Sequence, residues 1–195
     1  LILGATCVVM KKFTPDLWLQ QVEREKISFT ISVASQLESI PWTRKDAKQA
    51  TKSLRCLVSC CALLKSETKK YLATNFTGEF HECYGTSEVG VVSNMRFGGS
   101  QKKLHTAGKA VRGVDVKIVD VNNETVPSCV VGEITCKSHM EFSRYYNNKQ
   151  ATKDSVVDGY FYTGDLGFLD SDGYLVFSGR KKEVIITGGA NVFPI

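Results

Sequence analysis

The chain has 195 residues, 43% of them hydrophobic and 23% charged, and a formal net charge of +5. These values are typical of a globular protein of one or two domains, and the chain contains no run long enough to span a bilayer and no recognisable secretory leader. The cations are scattered along the chain and form no single stripe, so nucleic acid is not favoured as a partner.

The first hundred residues alternate strand and helix signals. An apolar run over residues 2–10 predicts a buried strand, and Thr14 and Pro15 suit the N-cap and first position of the helix that follows. Strands are also predicted at 27–33, 54–64 and 79–85, separated by helical segments at 44–53 and 66–76. In the run 27–33 every second residue is apolar and those between are polar, which is typical of a strand with one wetter face. This alternation predicts a parallel α/β sheet covered on both faces.

After the Gly98-Gly99 loop the pattern changes to short, closely spaced strands. The run "VDVKIVDVNNETV" alternates and then turns at Asn122-Asn123, and "GEITCKS" predicts a short strand at 132–138. "GFLDSDGYLVFS" predicts a hairpin around Asp172-Gly173. The segment "DSDG" lacks the remaining ligand positions of an EF-hand, so we interpret it as a turn and not as a calcium loop. A small antiparallel barrel or sandwich is therefore expected in this part of the chain.

The seven cysteines indicate a reducing compartment. Their number is odd and no C-x-x-C pair occurs, which argues against a disulfide scaffold and against a zinc site. Most of them stand in apolar, strand-like runs, where a thiol behaves as a small hydrophobic group. We therefore expect a cytoplasmic protein whose cysteines lie mostly in the core.

A polar segment follows the strand predicted at 79–85, at the edge of the sheet where α/β proteins bind ligands. Tyr84 offers a ring face to a planar group, and Gly85 lets backbone approach a ligand closely. The hydroxyls of Thr86 and Ser87 can donate to phosphate oxygens, and Glu88 is a hard oxygen ligand suited to Mg²⁺. Taken alone, the segment is equally consistent with a solvated loop.

Two further side chains suit a sugar or a phosphate. Asp165, in "YTGDLG", can accept hydrogen bonds from a ribose diol, although an Asx turn is the simpler explanation of this residue alone. Arg180 carries a planar donor fork suited to diols and phosphates, or belongs with the two lysines that follow it to a solvated basic turn.

Five segments, in order along the chain, closely resemble the successive motifs of the AMP-forming adenylating enzymes. They are "YGTSE", "GEITCKS", "YYNNKQAT", "GYFYTGDLGFLDSDGYL" and "GRKKEVIITGGANVFP". That superfamily includes acyl-CoA synthetases, peptide-synthetase adenylation domains and firefly luciferase, and "IITGGANVFP" is most similar to fatty-acid acyl-CoA synthetases. The resemblance implies an α/β fold. Residues 1–100 would form a flavodoxin-like parallel α/β subdomain of the large N-terminal domain, and residues 101–180 a small antiparallel β-barrel subdomain. Residues 181–195 would be the hinge and first strand of a truncated C-terminal α+β domain.

The resemblance also implies roles for single residues. Tyr84 would stack on adenine, Ser87 would contact the α-phosphate, and Glu88 would help to hold Mg²⁺. Asp165 would bind both ribose hydroxyls, with Arg180 as a second ribose contact, and Lys182 would lie at the hinge of the C-terminal domain. We thus expect the catalytic residues to be Ser87, Glu88 and Lys182, the metal ligand to be Glu88, and the nucleotide-binding residues to be Tyr84, Gly85, Thr86, Ser87, Asp165 and Arg180.

The reaction implied by the resemblance joins a carboxylic acid, expected to be a fatty acid, to coenzyme A with ATP and Mg²⁺, through an acyl adenylate. The family's phosphate-loop lysine and C-terminal catalytic lysine match no segment here, so we expect a central fragment that is inactive alone. Cys60-Cys61 also replace the usual glycines of a loop beside adenine, where a side chain would narrow the pocket or forbid a positive φ.

Two other functions stay open. An enzyme of this superfamily can pass the acyl group to a carrier-protein thiol or, as luciferase does, to oxygen. The chain is also compatible with a nucleotide-binding module that has no catalytic activity. The sequence specifies neither the acid nor the oligomeric state.

Overall fold

The computed structural model describes residues 4–97, 103–183, 185–187 and 190–192. The helices of this part of the chain are Pro15–Arg24 (α1), Ala34–Ser39 (α2), Lys45–Ala50 (α3), Ser66–Asn75 (α4) and Lys149–Ser155 (α5), with 3₁₀ turns at Thr51–Ser53 and Lys181–Glu183. Its strands are Phe29–Val33 (β1), Cys56–Cys60 (β2), Glu79–Thr86 (β3), Gly90–Phe97 (β4), Lys109–Ala110 (β5), Val114–Val119 (β6), Gly132–Ser138 (β7), Val156–Val157 (β8), Tyr160–Leu169 (β9), Leu175–Arg180 (β10), Ile185–Thr187 (β11) and Ala190–Val192 (β12). The longest helices, α1 and α4, have ten residues each, and no helix of the described part of the chain is long and apolar enough to cross a membrane.

The described residues divide into two compact units. The first contains the residues up to His81 together with Phe97, and the second contains Glu82–Arg96 and the described residues from 103 onward. Strand β3 therefore begins in the first unit and ends in the second. The residues that the sequence assigns to a nucleotide site all lie in the second unit.

The first unit is built from helices and parallel strands. Helix α1 begins where the sequence predicts, because the Thr14 side chain accepts a hydrogen bond from the Leu17 amide at 3.2 Å and Pro15 follows it. The helix buries Trp18, whose ring meets that of Trp42 edge-on at 6.1 Å. Strands β1 and β2 pair in parallel. The predicted α/β class is confirmed.

Two expectations for the first unit are wrong. Residues 4–10 of the run predicted as a buried strand form no strand, and Val9 is 83% exposed, because no described strand pairs with this segment; residues 2 and 3 lie outside the described residues. In β1 the polar side was expected to be the wetter one, but Phe29 and Ile31 are exposed while Ser32 is buried. The alternation of the strand is as predicted, and its two faces are exchanged.

The second unit contains an antiparallel sheet in the order β10-β9-β7-β6, with β8 paired to β9. Strand β4 pairs with β5 in the same unit, and β11 pairs with β12. The apolar core consists of two clusters of buried residues, one formed by Val89, Val92, Cys136 and Phe161 and the other by Ile118, Ile134 and Leu175. The expected antiparallel subdomain is thus confirmed.

The hairpin between β9 and β10 is the turn that its sequence predicts. The Asp170 carboxylate accepts hydrogen bonds from the amides of Asp172 and Tyr174 at 2.9 Å each, and Gly173 has a φ of +77°. Asp170 Oδ1 thus binds the hairpin backbone, as expected of a turn, while Asp170 Oδ2 and Asp172 Oδ2 accept hydrogen bonds from Lys103 Nζ at 2.6 and 2.7 Å. Within the described residues no group of three or more potential metal ligands occurs.

The expectation that most cysteines are in the core is wrong. Cys136 is fully buried, and burial raises the pKa of its thiol to about 12. Cys7, Cys61 and Cys129 are exposed, and the remaining three are half-buried. Cys7 stands in the segment that forms no strand and Cys61 follows the end of β2, so an apolar neighbourhood in sequence does not bury them.

Candidate functional site

The tight connection between β3 and β4 carries four of the expected site residues. A Cβ at Gly85 would lie 2.2 Å from the Gly90 carbonyl oxygen, so this position accepts only glycine without a shift of the backbone. Thr86 ends β3, and its buried Oγ1 has no hydrogen-bond partner among the described residues. An unsatisfied buried hydroxyl costs about 1–3 kcal/mol, and a ligand oxygen or amide in this position would remove that cost. Ser87 follows in the turn and is exposed.

Tyr84 connects this turn to the core and to a carboxylate far along the chain. Its half-buried ring packs against both core clusters and lies 6.2 Å from the Phe177 ring at a tilt of 44°. Its hydroxyl donates to Asp165 Oδ2 at 2.9 Å. Burial raises the pKa of Tyr84 well above its ordinary value, and the negative charge of Asp165 adds to this rise. The phenol therefore stays protonated and remains a donor.

Asp165 is the buried carboxylate at the centre of the site. The residue is 5% exposed, and its Oδ1 lies 3.2 Å from Arg180 Nε. Burial raises the pKa of Asp165 above its ordinary value, while the Tyr84 hydrogen bond and the Arg180 charge act in the opposite direction. Each carboxylate oxygen has one partner from this group and can accept a further hydrogen bond. Tyr84, Asp165 and Arg180, which the sequence predicts as nucleotide contacts, are therefore brought together.

The antiparallel pairing of β9 and β10 places Arg180 opposite Asp165. The register shifts between Phe177 and Gly179, and Gly179 has a φ of +145°, a conformation that favours glycine. The bulge comes directly before Arg180, at the end of the strand. Arg180 is 65% exposed in its side chain, so its guanidinium can contact a ligand while its Nε faces the carboxylate.

A second buried carboxylate, Glu133, holds the backbone of β9 beside Asp165. Its Oε1 accepts a hydrogen bond from the Gly164 amide at 3.1 Å, and its Oε2 lies 2.7 Å from Lys181 Nζ. Glu133 thereby connects β9 next to Asp165 to the segment that follows Arg180. The motif "GEITCKS" gives this glutamate no role in the sequence; a carboxylate placed within a predicted strand was the available signal.

Glu88 has a partner of its own. Its Oε1 accepts a hydrogen bond from the Tyr145 hydroxyl at 2.8 Å, and its backbone carbonyl accepts one from the Phe142 amide at 2.6 Å. Burial and this hydrogen bond raise the pKa of Tyr145 to about 12. Tyr145 stands in the quoted motif "YYNNKQAT", but nothing in the sequence alone distinguishes it from Tyr146 beside it.

The sequence of the chain matches a known protein family. The model of the family described as "AMP-binding enzyme" matches residues 1–146. The chain belongs to this AMP-binding enzyme family. The segment with Tyr84 and Glu88 falls inside the matched range, while Asp165, Arg180 and Lys182 follow it.

Relatives of the chain carry the names of several acid–CoA ligases. It is 30% identical over 192 residues to an indoleacetate–CoA ligase of Aromatoleum aromaticum, covering 98% of the chain and 38% of that protein. It is 30% identical over 199 residues to a 2-succinylbenzoate–CoA ligase of Bacillus licheniformis, covering 99% of the chain and 40% of that protein. A long-chain-fatty-acid–CoA ligase of Mycobacterium bovis is 42% identical over 116 residues, which cover 58% of the chain and 17% of that protein.

Solved structures give the same family with a similar coverage. The o-succinylbenzoate CoA synthetase of Bacillus subtilis, in complex with an acyl-adenylate intermediate, matches with a TM-score of 0.89 at 25% identity, over 99% of this chain and 39% of that one. The chain therefore spans about two fifths of the length of this enzyme and of the indoleacetate and succinylbenzoate ligases. Since the relatives are named for different acids, the expected fatty acid is not singled out among them.

The remaining predicted residues of this AMP-binding family member lie as follows. Lys182 is exposed in the 3₁₀ turn directly after β10. In the first unit, Cys61 adopts a φ of +71°, a conformation that its side chain was expected to forbid. Its Sγ lies 3.4 Å from that of Cys60. The left-handed conformation at a non-glycine residue costs about 1–3 kcal/mol.

Proposed function

We propose that the protein is part of an AMP-forming acid–coenzyme A ligase, in which the second unit holds the AMP portion of ATP and of the acyl adenylate. The observation that carries this proposal is the buried Asp165 carboxylate, held between the Tyr84 hydroxyl at 2.9 Å and Arg180 Nε at 3.2 Å. In this proposal Asp165 accepts hydrogen bonds from both ribose hydroxyls, Arg180 donates to the ribose, and the Tyr84 ring stacks on adenine.

The β3–β4 turn suits the phosphates. The orphaned Thr86 Oγ1 and the exposed Ser87 hydroxyl are donors without an obligatory partner in the described residues, and Gly85 keeps the backbone free of a side chain. We assign the α-phosphate contact to Ser87 with Thr86 beside it. Because such donors are fixed before the reaction, they stabilise charge that develops on the phosphoryl oxygens without reorganisation.

Glu88 fits a hard cation. One carboxylate oxygen is held by Tyr145, and the other has no hydrogen-bond partner among the described residues. In the proposed enzyme this glutamate helps to hold Mg²⁺, which usually takes one or two carboxylates together with substrate phosphates. When bound, the cation would offset negative charge on the triphosphate of ATP.

The proposed reaction has two steps. A carboxylate oxygen of the acid attacks the α-phosphorus of ATP, the bond from that phosphorus to the bridging oxygen breaks, and pyrophosphate leaves. The sulfur of coenzyme A then attacks the acyl carbon, AMP leaves, and the thiol proton passes to solvent. The chain's residues act by positioning the nucleotide and stabilising charge, and Lys182 is proposed as the hinge between the two steps.

The proposal also covers the domain bounds, the substrate and the location of the protein. We assign residues 1–100 to an α/β subdomain, 101–180 to a β-barrel subdomain and 181–195 to the hinge and first strand of a further domain. The substrate is proposed to be an apolar acid, with a fatty acid favoured by the similarity of "IITGGANVFP" to the fatty-acid acyl-CoA synthetases. The odd number of cysteines without a C-x-x-C pair supports a cytoplasmic location.

The test is ATP–pyrophosphate exchange, because it reports the first step without coenzyme A. The 195-residue chain and the complete protein are each assayed with fatty acids, arylacetates and succinylbenzoate. We expect exchange by the complete protein alone, fastest with a fatty acid. Exchange with an arylacetate only would overturn the substrate assignment, and absence of exchange with any acid by the complete protein would overturn the ligase proposal.

A further inference from the structure

The loop between β7 and α5 is fastened to the β3–β4 turn at Glu88. The Tyr145 hydroxyl donates to Glu88 Oε1 at 2.8 Å, and the Phe142 amide donates to the Glu88 carbonyl oxygen at 2.6 Å. The two tethers hold both the backbone and the carboxylate of the glutamate. They come from residues more than fifty positions away in sequence, so they exist only in the folded unit.

Tyr145 is itself held from two sides. Its backbone amide donates to Oγ1 of Thr152, a residue in the middle of α5, at 3.0 Å. Its ring meets the Phe142 ring edge-on at 4.7 Å, and Phe142 in turn meets the buried Phe161 at 5.8 Å. A hydroxyl on a ring fixed in this way presents its proton in a set direction. Tyr146, the next residue, is 91% exposed.

The Tyr145 hydroxyl restricts the orientation of the Glu88 carboxylate, which is the proposed cation ligand. The Tyr145 hydroxyl donates its proton to one oxygen of Glu88 and leaves the other carboxylate oxygen open to a cation. One oxygen of the carboxylate is thereby occupied, and the group cannot rotate freely. Groups that orient a metal ligand through a hydrogen bond typically change metal affinity by 10- to 100-fold when they are removed.

We propose that Tyr145 is a positioning residue that fixes the Glu88 carboxylate for the cation accompanying the phosphates of ATP. This inference rests on the proposed function, in which Glu88 is the Mg²⁺ ligand. It adds a residue that touches neither nucleotide nor cation and acts through Glu88. The competing explanation is that the hydrogen bond only fastens the loop to the turn.

The experiment compares Tyr145→Phe with Tyr146→Phe in the 195-residue chain. Both substitutions remove one phenolic oxygen and keep the ring, but only the first removes a donor to Glu88. Calorimetry measures AMP binding in EDTA and ATP binding as a function of Mg²⁺ concentration. We expect Tyr145→Phe to raise the Mg²⁺ concentration for half-maximal enhancement of ATP binding about tenfold, with AMP affinity unchanged and Tyr146→Phe like the wild type.

A double-mutant cycle separates action through Glu88 from a loss of folding. In a Glu88→Gln background, which keeps an acceptor but removes the charge, Tyr145→Phe should add no further change in Mg²⁺ dependence. Thermal unfolding of each variant accompanies the binding data. A Glu88→Gln protein that binds ATP with unaltered Mg²⁺ dependence would overturn the assignment of Glu88 as the cation ligand, and with it the inference that rests on that assignment.

The outcomes also separate this inference from the proposed function. Equal losses of AMP and Mg²⁺–ATP binding in Tyr145→Phe would assign the hydrogen bond to fastening the loop and overturn the inference alone. Tyr145→Phe and Tyr146→Phe with the same Mg²⁺ dependence would do the same. A wild-type chain that binds neither AMP nor ATP would contradict the proposed function, and the inference with it.

Discussion

Asp165 is a buried carboxylate, and burying its ionised form lowers the stability of the folded protein. Its folded-state pKa is raised by burial, so the ionised form destabilises the native state, and this contribution to stability falls as the pH rises from the ordinary pKa through the folded one. Tyr84 and Arg180 offset part of that cost. A strongly buried ionisable group with specific charged and hydrogen-bonding partners is a common property of functional sites.

Tyr84→Phe tests the link between these two residues. The substitution keeps the ring but removes the hydrogen bond that favours the ionised carboxylate, so we expect the pKa of Asp165 to rise further. Carbon-detected NMR of the carboxyl group during a pH titration measures the change. Tyr146→Phe is the control and should leave that pKa where it is. A pKa of Asp165 that does not move in Tyr84→Phe would contradict the hydrogen bond.

Cys61→Gly tests the strained residue after β2. Glycine adopts the φ of +71° without the steric cost that cysteine bears, and the exposed thiol contributes little packing. Allowing for the larger entropy of glycine in the unfolded chain, we expect the free energy of unfolding to rise by about 1 kcal/mol. Urea unfolding measures it. Cys7→Gly, at an exposed cysteine outside the left-handed region, should give no gain, and an equal gain there would refute the strain argument.

Among the elements, those set by local chemistry were predictable. The β9–β10 hairpin follows from its own turn residues, and α1 follows from Thr14 and Pro15. The strand predicted at 2–10 was wrong because a strand needs a partner, and a hydrophobic run carries no information about one. The exchanged faces of β1 have the same origin, since the pattern fixes alternation but not which face is covered.

Gly85→Ala and Gly173→Ala test the two turns against each other. A Cβ at Gly85 meets the Gly90 carbonyl oxygen at 2.2 Å, whereas at Gly173 it has open space and only an unfavourable φ of +77°. We expect Gly85→Ala to lower the free energy of unfolding by about 3 kcal/mol and Gly173→Ala by about 1 kcal/mol. Only Gly85→Ala should also weaken AMP binding. Equal losses in both variants would show that the β3–β4 connection tolerates a side chain.

At the scale of the whole molecule, the motifs predicted more of the site than local patterns did. Tyr84, Asp165 and Arg180 are each ambiguous alone, and their meeting depends on a pairing between residues 81 positions apart that only the family resemblance implied. Glu133 and Tyr145 were missed because their partners lie 48 and 57 residues away, and neither type of residue is diagnostic. The chain spans about two fifths of the length of the indoleacetate and succinylbenzoate ligases, so the ligase activity is a proposal that pyrophosphate exchange tests.

The central claim is that Asp165 binds the ribose diol of AMP, and one calorimetric comparison tests it most directly. The chain and its Asp165→Asn variant are each titrated with AMP and with 2′,3′-dideoxy-AMP. Hydrogen bonds to a charged group contribute about 1.5–3 kcal/mol, so the wild type should prefer AMP by roughly 10- to 100-fold and the variant by less than about threefold. A wild-type chain that binds both nucleotides equally, or a variant that keeps the full preference, would contradict the claim.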